Sequence, residues 1–208
     1  MEHKDIFSQN GYVKIDNLLE KDVAKIAGQY CLFSALNNFE PEPSTTGQVP
    51  GSHAVYADCL METILLQLKT KIEDATNLKL LPSYSYYRIY EPGQQLKKHV
   101  DRESCEISAT ITLAFNYNDV PGDHRWSLKL KDFNDDEKEI TLEVGEGLIY
   151  KGIELEHWRD EFIAGKDSVH VQLFLHYLDA NGPYTHLKYD QRPGIGLKQT
   201  LVKKLQEL

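Results

Sequence analysis

The chain has 208 residues, a length that favours one domain with its own hydrophobic core. Its 23 basic and 32 acidic residues give a net charge of −9, which argues against broad nucleic-acid binding because such binding needs clustered Lys and Arg. The three cysteines are widely spaced and odd in number, so they predict neither a disulfide framework nor a cysteine-rich zinc site.

The first residues carry acidic side chains and no apolar core, so they do not resemble a signal peptide. No apolar run approaches the roughly 20 residues that a helix needs to cross a bilayer. Three unpaired cysteines fit a reducing compartment. We therefore expect a soluble, cytoplasmic protein without a membrane partner, whose oligomeric state the sequence leaves open.

The N-terminal part is predicted to be mainly helical. After a short strand at 11–15, apolar residues recur at helical spacing over 18–38 and again over 55–76. Residues 40–53, rich in Pro, Gly and Ser, predict a long surface loop of the kind that often covers a binding site. The buried stripe predicted for the first helix is Leu18, Leu19, Val23, Ile26, Ala27, Tyr30 and Leu32 or Phe33. The stripe predicted for the second is Leu60, Ile64, Leu65, Leu68 and Ile72.

From residue 82 onward the sequence predicts mainly β-strands. Strands are predicted at 83–90, 106–116, 126–131, 139–144, 147–151 and 168–178. Apolar and small polar residues alternate in 106–116, and turn signals separate the strands, a pattern typical of a sandwich or barrel. The predicted fold class is α+β and β-dominated. We expect a single domain over 1–208, with helices and a loop in 1–80, a β core in 81–180, and a C-terminal extension in 181–208 that includes a short amphipathic helix at 197–208.

A candidate metal site begins with His99 and Asp101. In a strand these two side chains project to the same side, with Val100 on the other. The third ligand is predicted to be His157, which lies 157 − 101 = 56 residues downstream of Asp101. Two histidines and one carboxylate leave coordination positions open, as in non-haem iron oxygenases, whereas a structural zinc site closes its shell with a fourth protein ligand.

The surroundings of these residues carry a family resemblance. Residues 90–101, Y-E-P-G-Q-Q-L-K-K-H-V-D, resemble the pattern Y-x-x-G-x-x-[YL]-x-x-H-x-D of the prolyl-4-hydroxylase-like branch of the iron(II)- and 2-oxoglutarate-dependent oxygenases. Residues 145–150 (G-E-G-L-I-Y) and 156–159 (E-H-W-R) look like the strand, turn and distal histidine of the same group. The last segment, with 172–177, also resembles a set of small microbial and viral oxygenases. The resemblance covers about 82–180.

The resemblance implies a double-stranded β-helix, a jelly-roll and cupin-like core that N-terminal helices support. It implies Fe²⁺ as metal, 2-oxoglutarate and O₂ as cosubstrates, and ascorbate as a supporting reductant. The implied reaction couples decarboxylation of 2-oxoglutarate to hydroxylation of an unactivated C–H bond. A prolyl residue in a peptide or protein is one candidate substrate, and a free amino acid or another small molecule is the alternative.

The resemblance further implies a basic residue that binds the distal carboxylate of 2-oxoglutarate. Arg159, two residues beyond His157, ranks first because a continuing strand would point it into the same cavity and a guanidinium can bind a carboxylate with two hydrogen bonds. Lys166 has the implied spacing but lies in a predicted loop, and His170 is the third candidate. The candidate hydroxyl partners are Tyr90, Thr110 and Thr112.

Two other classes of protein remain open at this point. One is a cupin-like module that binds a metal or ligand without turnover. The other is a zinc hydrolase that uses the same three ligands, with Glu103 or Glu106 as general base. Lys97, Lys98 and Arg102 flank the predicted site and could contact an acidic substrate.

Overall fold

The computed structural model describes residues 1–38 and 47–197, which form three α-helices and ten β-strands. The helices are α1 (His3–Asn10), α2 (Lys21–Asn37) and α3 (Cys59–Thr76). The strands are β1 (Tyr12–Ile15), β2 (His53–Tyr56), β3 (Leu80–Tyr90), β4 (Leu96–His99), β5 (Ile107–Asn116), β6 (Leu128–Lys131), β7 (Glu137–Ile140), β8 (Gly147–Lys151), β9 (His157–Arg159) and β10 (Val169–Asp179). Short 3₁₀ segments cover Glu103–Cys105 and Thr185–Gln191. Most of the predicted C-terminal helix and part of the predicted 40–53 loop lie outside the described residues.

The strands form two antiparallel sheets. The larger sheet has the order β1-β8-β5-β10-β3-β2, and the smaller has the order β4-β9-β6-β7. A cavity lies between them, lined by residues of both sheets, such as Tyr84 of β3 and His157 of β9. This two-sheet jelly roll confirms the predicted α+β class with a β-dominated core. In the parts of the chain described, no helix is long and apolar enough to cross a membrane.

The main hydrophobic core lies between the larger sheet and the helices. Side chains alternate along β5 and β10, so that Ile111 of β5 and Leu173 of β10 point toward the helices and are fully buried there. On the helical side they pack with Leu65 and Ile72 of α3. Full burial of one such side chain stabilises the fold by about 1.5–3 kcal/mol. The opposite faces of the same strands are polar and point into the space between the sheets, as the alternation predicts.

The stripe predicted for the first helix is right at Leu18, Leu19 and Ala27, which are buried, and wrong at Val23, Ile26 and Tyr30, which are exposed. The helix begins at Lys21, and it packs through small residues, with Ala24, Ala27 and Cys31 fully buried. Gly28 shows why: a Cβ added there would lie 3.0 Å from the Leu113 carbonyl oxygen and 2.9 Å from the Ala114 Cβ of β5. This close approach leaves the larger apolar residues of the helix on its exposed face. The exposed residues are Val23, Ile26, Tyr30, Phe33 and Leu36.

Several predicted boundaries also shift. The second helix begins at Cys59, because the Asp58 side chain accepts hydrogen bonds from the Leu60 and Met61 backbone N–H groups and caps the helix. Residues 53–56, predicted as loop and helix, instead form β2 along the edge of β3. The strand predicted at 139–144 is β7, which ends at Ile140. The sequence did not predict α1 or β2, which have eight and four residues.

A buried ion pair links the C-terminal segment to α3. Arg192 donates to Glu62, and both side chains are 1% exposed. Arg192 also donates to the Ser83 carbonyl oxygen, and Glu62 accepts the Gly196 backbone N–H. Removing either charge would leave the other buried without its counterion.

We therefore expect Arg192→Met to lower the free energy of unfolding by about 3–5 kcal/mol in urea denaturation. The double variant Glu62→Leu/Arg192→Met should recover most of that loss, because no uncompensated charge then remains. Arg125→Ala is the matched control: its partner Glu143 is half exposed, and such a pair contributes at most about 1 kcal/mol. A double variant as unstable as the single one would contradict this account of the pair.

Candidate metal and cosubstrate site

The three predicted metal ligands meet at one end of the cavity. His99 ends β4 and pairs directly with His157, the first residue of the neighbouring strand β9. The Nε2 atoms of His99 and His157 lie 3.6 and 3.5 Å from Asp101 Oδ1. The ligand atoms of all three residues lie within 4.8 Å of one another, which is compatible with a single metal ion between them.

Asp101 does not lie in a strand, contrary to the prediction. β4 ends at His99, and Asp101 is held instead by its backbone N–H, which donates to the Gly152 carbonyl oxygen at 2.8 Å. Gly152 must be this small, since a Cβ there would come within 2.5 Å of Asp101 Oδ2. The expected juxtaposition of His99 and Asp101 therefore arises from a loop contact rather than from strand alternation.

Backbone carbonyls orient both histidines for metal binding. His99 Nδ1 lies 2.8 Å from the Lys97 carbonyl oxygen, and His157 Nδ1 lies 2.9 Å from the Leu155 carbonyl oxygen. A carbonyl oxygen only accepts, so each Nδ1 carries a proton, which leaves Nε2 as the nitrogen that can bind a metal. This is the arrangement that metal-binding histidines adopt, with the second nitrogen donating to an outer partner.

Asp101 is in the charged form that a metal requires. Burial by itself would raise the pKa of Asp101, but hydrogen bonds from His157 and His99 outweigh it and hold that pKa well below its usual range. His99 shows the complementary effect: burial opposes its charging, yet the hydrogen bond to Asp101 leaves the pKa of His99 raised. The ionised carboxylate and the two histidine side chains are a donor set that fits a divalent metal such as Fe²⁺.

The cavity at the triad has a volume of about 390 Å³. Its wall on the larger sheet is aromatic, with Tyr84 and Tyr86 from β3 and Phe174 from β10. A second cavity of similar volume begins at Leu96 and His99 and is lined mainly by residues 47–50 and 93–97. Both cavities are lined by His99, so a small molecule could reach the triad from either.

Arg159 lies on the same face of β9 as His157 and is 2% exposed, which agrees with the expectation of a continuing strand. Its Nη1 donates to the Trp126 carbonyl oxygen at 2.5 Å, and its guanidinium lies 4.8 Å from the Trp126 ring centre. Burial lowers the pKa of Arg159. Within the described residues no carboxylate lies within ion-pair distance of it, although a buried guanidinium normally has such a partner.

A buried hydroxyl accompanies this cation. Tyr90 is fully buried, and its Oη atom has no hydrogen-bond partner in the described part of the chain. Tyr150 Oη lies 3.5 Å from His157 Nε2, between the triad and this region. A buried cation without a carboxylate partner and a buried hydroxyl without a hydrogen-bond partner, both among the described residues, would together suit an anionic ligand.

The other predicted cosubstrate residues lie at different places. His170 contacts Tyr117 Oη at 2.6 Å and Gln172 Oε1 at 2.7 Å, and burial together with the nearby Arg159 holds the pKa of His170 well below its usual value. His170 is therefore neutral. Thr110 and Thr112 are both engaged with the Gln172 amide, at 2.6 and 3.2 Å. Lys166 is exposed in the loop before β10, away from the cavity.

The proposed bases of a zinc hydrolase do not reach the cavity. Glu103 is exposed, and Glu106 accepts the Asp179 backbone N–H at 2.8 Å. Neither lines the cavity at the triad.

Three residues that line or support this site were not among the site residues predicted from the sequence. Arg88 lines the cavity from β3, and its guanidinium contacts the Tyr86 hydroxyl and ring. Ser108 and His176 contact each other beside Asp101. Strand alternation did place Ser108 and His176 on the polar faces of β5 and β10. The pairing between the strands, which the sequence does not reveal, brings them together.

No model of a known protein family matches the sequence, and no curated protein matches it. Among solved structures, the chain is similar to a prolyl-4-hydroxylase from Pseudomonas putida, at 17% identity and a TM-score of 0.64, over 84% of this chain and 96% of that one. It is similar to a prolyl hydroxylase from Trichoplax adhaerens in complex with a hypoxia inducible factor peptide fragment, at 12% identity and a TM-score of 0.65, over 84% and 86%. It is also similar to the non-haem α-ketoglutarate-dependent epimerase SnoN of nogalamycin biosynthesis, at 15% identity and a TM-score of 0.66, over 93% and 89%.

At these identities the similarity establishes the fold. The chain has the double-stranded β-helix that the iron- and 2-oxoglutarate-dependent oxygenases share, including the prolyl-4-hydroxylases. This confirms the jelly-roll core and the fold that the sequence resemblance implied.

Proposed function

We propose that this protein is an iron(II)- and 2-oxoglutarate-dependent oxygenase. The observation that carries the proposal is the combination of a two-histidine, one-carboxylate triad with a buried, uncompensated Arg159 on the same strand as one of its histidines. A triad that leaves coordination positions open suits a bidentate 2-oxo acid together with dioxygen. A non-catalytic cupin-like module would have no need of the second feature, a buried cation without a counterion.

In this proposal each residue has a defined task. His99, Asp101 and His157 hold the iron through Nε2, Oδ1 and Nε2. When bound, iron with 2-oxoglutarate and dioxygen supplies an oxidant strong enough to attack an unactivated C–H bond. Arg159 binds the distal carboxylate of 2-oxoglutarate, and Tyr90 donates its unused hydroxyl hydrogen to the same group. This buried pairing is strong because the surrounding dielectric is low.

The remaining residues position the substrate and exclude water. The aromatic wall of Tyr84, Tyr86 and Phe174 faces the triad across the cavity and suits an apolar or ring-shaped group. Hydroxylation of a prolyl residue in a peptide is our first candidate, because aromatic surfaces accommodate proline well and the second cavity extends the first past His99. The Trichoplax neighbour, in complex with a peptide fragment, supports this choice.

A small-molecule substrate is the second candidate. The SnoN epimerase, of similar fold, has been solved in complex with nogalamycin RO. The cavity at the triad, at about 390 Å³, lies within the range of small-molecule sites.

The test is release of succinate from 2-oxoglutarate by the purified protein with Fe²⁺ and ascorbate in air, first without a second substrate. We expect slow turnover that depends on iron and is inhibited by a chelator. Prolyl peptides and free amino acids can then be compared by how much each accelerates succinate release. Absence of turnover together with absence of iron-dependent 2-oxoglutarate binding would refute the oxygenase assignment. Tightly bound zinc and no affinity for 2-oxoglutarate would favour a hydrolase.

A further inference from the structure

The two oxygens of Asp101 face different partners. Oδ1 faces the Nε2 atoms of His99 and His157, at 3.6 and 3.5 Å. Oδ2 accepts a hydrogen bond from the Ser108 hydroxyl at 2.8 Å. Ser108 Oγ in turn lies 2.9 Å from His176 Nδ1. The metal-binding carboxylate is therefore connected, through one serine, to a histidine on another strand.

We propose that His176 and Ser108 form a positioning relay that fixes the Asp101 carboxylate for metal binding. In this relay His176 Nδ1 donates to Ser108 Oγ, and Ser108 donates to Asp101 Oδ2. The inference rests on the proposed function only in taking the triad to be a metal site, and it does not depend on 2-oxoglutarate or on the substrate.

The directions of these hydrogen bonds follow from counting protons. Asp101 is ionised and can only accept, so the single Ser108 proton points to Oδ2. Ser108 Oγ must then accept from His176. At 2.9 Å from Ser108 Oγ, His176 Nδ1 must therefore carry a proton. The chain of donors therefore runs in one direction, from His176 to the metal ligand.

The pairing of β5 with β10 brings the two residues of the relay together. Ser108 of β5 and His176 of β10 are directly opposite each other in the antiparallel pair, which places their side chains in contact. The His176 ring packs against Tyr84, with ring centres 4.5 Å apart. Tyr84 is itself held by contact of its hydroxyl with Cys105 Sγ at 3.0 Å. The imidazole thus has a fixed orientation before any metal binds.

His176 matters because Ser108 has a second possible acceptor. The Cys105 carbonyl oxygen lies 3.2 Å from Ser108 Oγ, farther than Asp101 Oδ2. A hydroxyl held from behind by a histidine donor keeps its proton toward the carboxylate, which is charged and the stronger acceptor. Without that donor, the hydroxyl can rotate between the two acceptors, and Asp101 loses part of its orientation. Outer partners of this kind typically contribute about 10- to 100-fold to metal affinity.

The test is a titration of metal-free protein with Co²⁺, followed by the visible absorption of the bound ion, with the midpoint of thermal unfolding measured in parallel. We expect Ser108→Ala to weaken Co²⁺ binding about 10- to 100-fold and to alter the absorption band. Ser108→Thr, which keeps a hydroxyl, should bind within about threefold of the wild type, a difference well below the effect of losing such a partner. Ser85→Ala is the matched control: it removes another fully buried hydroxyl of the same sheet, and binding should not change.

The histidine is tested by a pair of variants. His176→Phe preserves a ring but removes the donor, so it should weaken Co²⁺ binding. His176→Asn keeps an N–H near the Nδ1 position and should restore much of the affinity. This pair decides the question even if Ser108→Ala fails to fold. Wild-type affinity in both Ser108→Ala and His176→Phe, or equal losses in His176→Phe and His176→Asn, would overturn the relay. Metal binding that obeys these expectations, with neither turnover nor iron-dependent binding of 2-oxoglutarate, would refute the proposed function alone.

Discussion

Replacing His157 by alanine should abolish iron-dependent succinate release. His157 is 2% exposed and is one of the three proposed ligands, and its Nε2 lies 3.5 Å from Asp101 Oδ1. Two remaining ligands bind a divalent ion weakly, because each lost protein ligand must be replaced by water. His99→Ala and Asp101→Ala should have the same effect for the same reason. We expect turnover below detection in all three variants, measured with saturating 2-oxoglutarate.

The control separates loss of the metal from loss of the fold. His186→Ala removes an exposed histidine in the C-terminal segment and should leave turnover unchanged. Circular dichroism should show that the triad variants keep the β-rich fold, since the core between sheet and helices contains none of the three residues. Wild-type turnover in any folded triad variant would show that the metal ligands are wrongly assigned.

Replacing Arg159 by glutamine should sharply raise the concentration of 2-oxoglutarate needed for half-maximal turnover. The guanidinium is buried and has no carboxylate partner among the described residues, so a dianion bound beside it gains a strong, desolvated ion pair. Truncating one partner of such a pair costs about 2–5 kcal/mol, which corresponds to at least a 30-fold rise. Isothermal titration with the iron-loaded protein under anaerobic conditions measures the same change as an equilibrium constant.

Lys166 provides the matched control for charge. It is exposed in the loop before β10, so Lys166→Gln removes one positive charge without touching the cavity and should leave the 2-oxoglutarate requirement unchanged. A rise with Lys166→Gln and none with Arg159→Gln would transfer the role to Lys166. An effect of His170→Asn alone would transfer it to His170, whose pKa burial holds well below its usual value and which contacts Tyr117 and Gln172.

The alternation of apolar and polar residues along the strands allowed the β core to be predicted from the sequence. Residues 106–116 were predicted to alternate between apolar and small polar side chains, and the apolar residues Ile107, Ala109, Ile111 and Leu113 are all buried against the helices. The same alternation along β10 places His176 on the face that lines the cavity. A period of two leaves no choice of face once one side is apolar, so such strands are predictable without knowledge of their partners.

The helix α2 could not be predicted in the same way. Its larger residues, such as Ile26 and Phe33, formed the more apolar stripe in the sequence, yet they are about 64% and 63% exposed. The buried face consists of small residues because the helix lies very close to β5 at Gly28. The distance between helix and strand depends on the packed structure, so the pattern of hydrophobic residues along the chain does not predict it.

The sequence predicted which residues meet at the candidate site but not what surrounds them. The spacing and resemblance selected His99, Asp101 and His157, and the fold brings these three side chains together. Local sequence did not reveal the contacts of Asp101 with Gly152 and Ser108, because Gly152 lies in the turn that follows β8 and Ser108 lies in β5. Contacts between distant segments require the strand pairing, which no short pattern encodes.

Crystals of the protein grown without oxygen, in the presence of Fe²⁺ and 2-oxoglutarate, would show directly whether the triad binds iron and whether Arg159 binds 2-oxoglutarate. We expect iron, identified by its anomalous scattering, bound by His99 Nε2, Asp101 Oδ1 and His157 Nε2. We expect the distal carboxylate of 2-oxoglutarate to lie against Arg159 and Tyr90. Iron at another position, or a triad that binds the metal while 2-oxoglutarate stays out of the cavity at saturating concentration, would contradict this account.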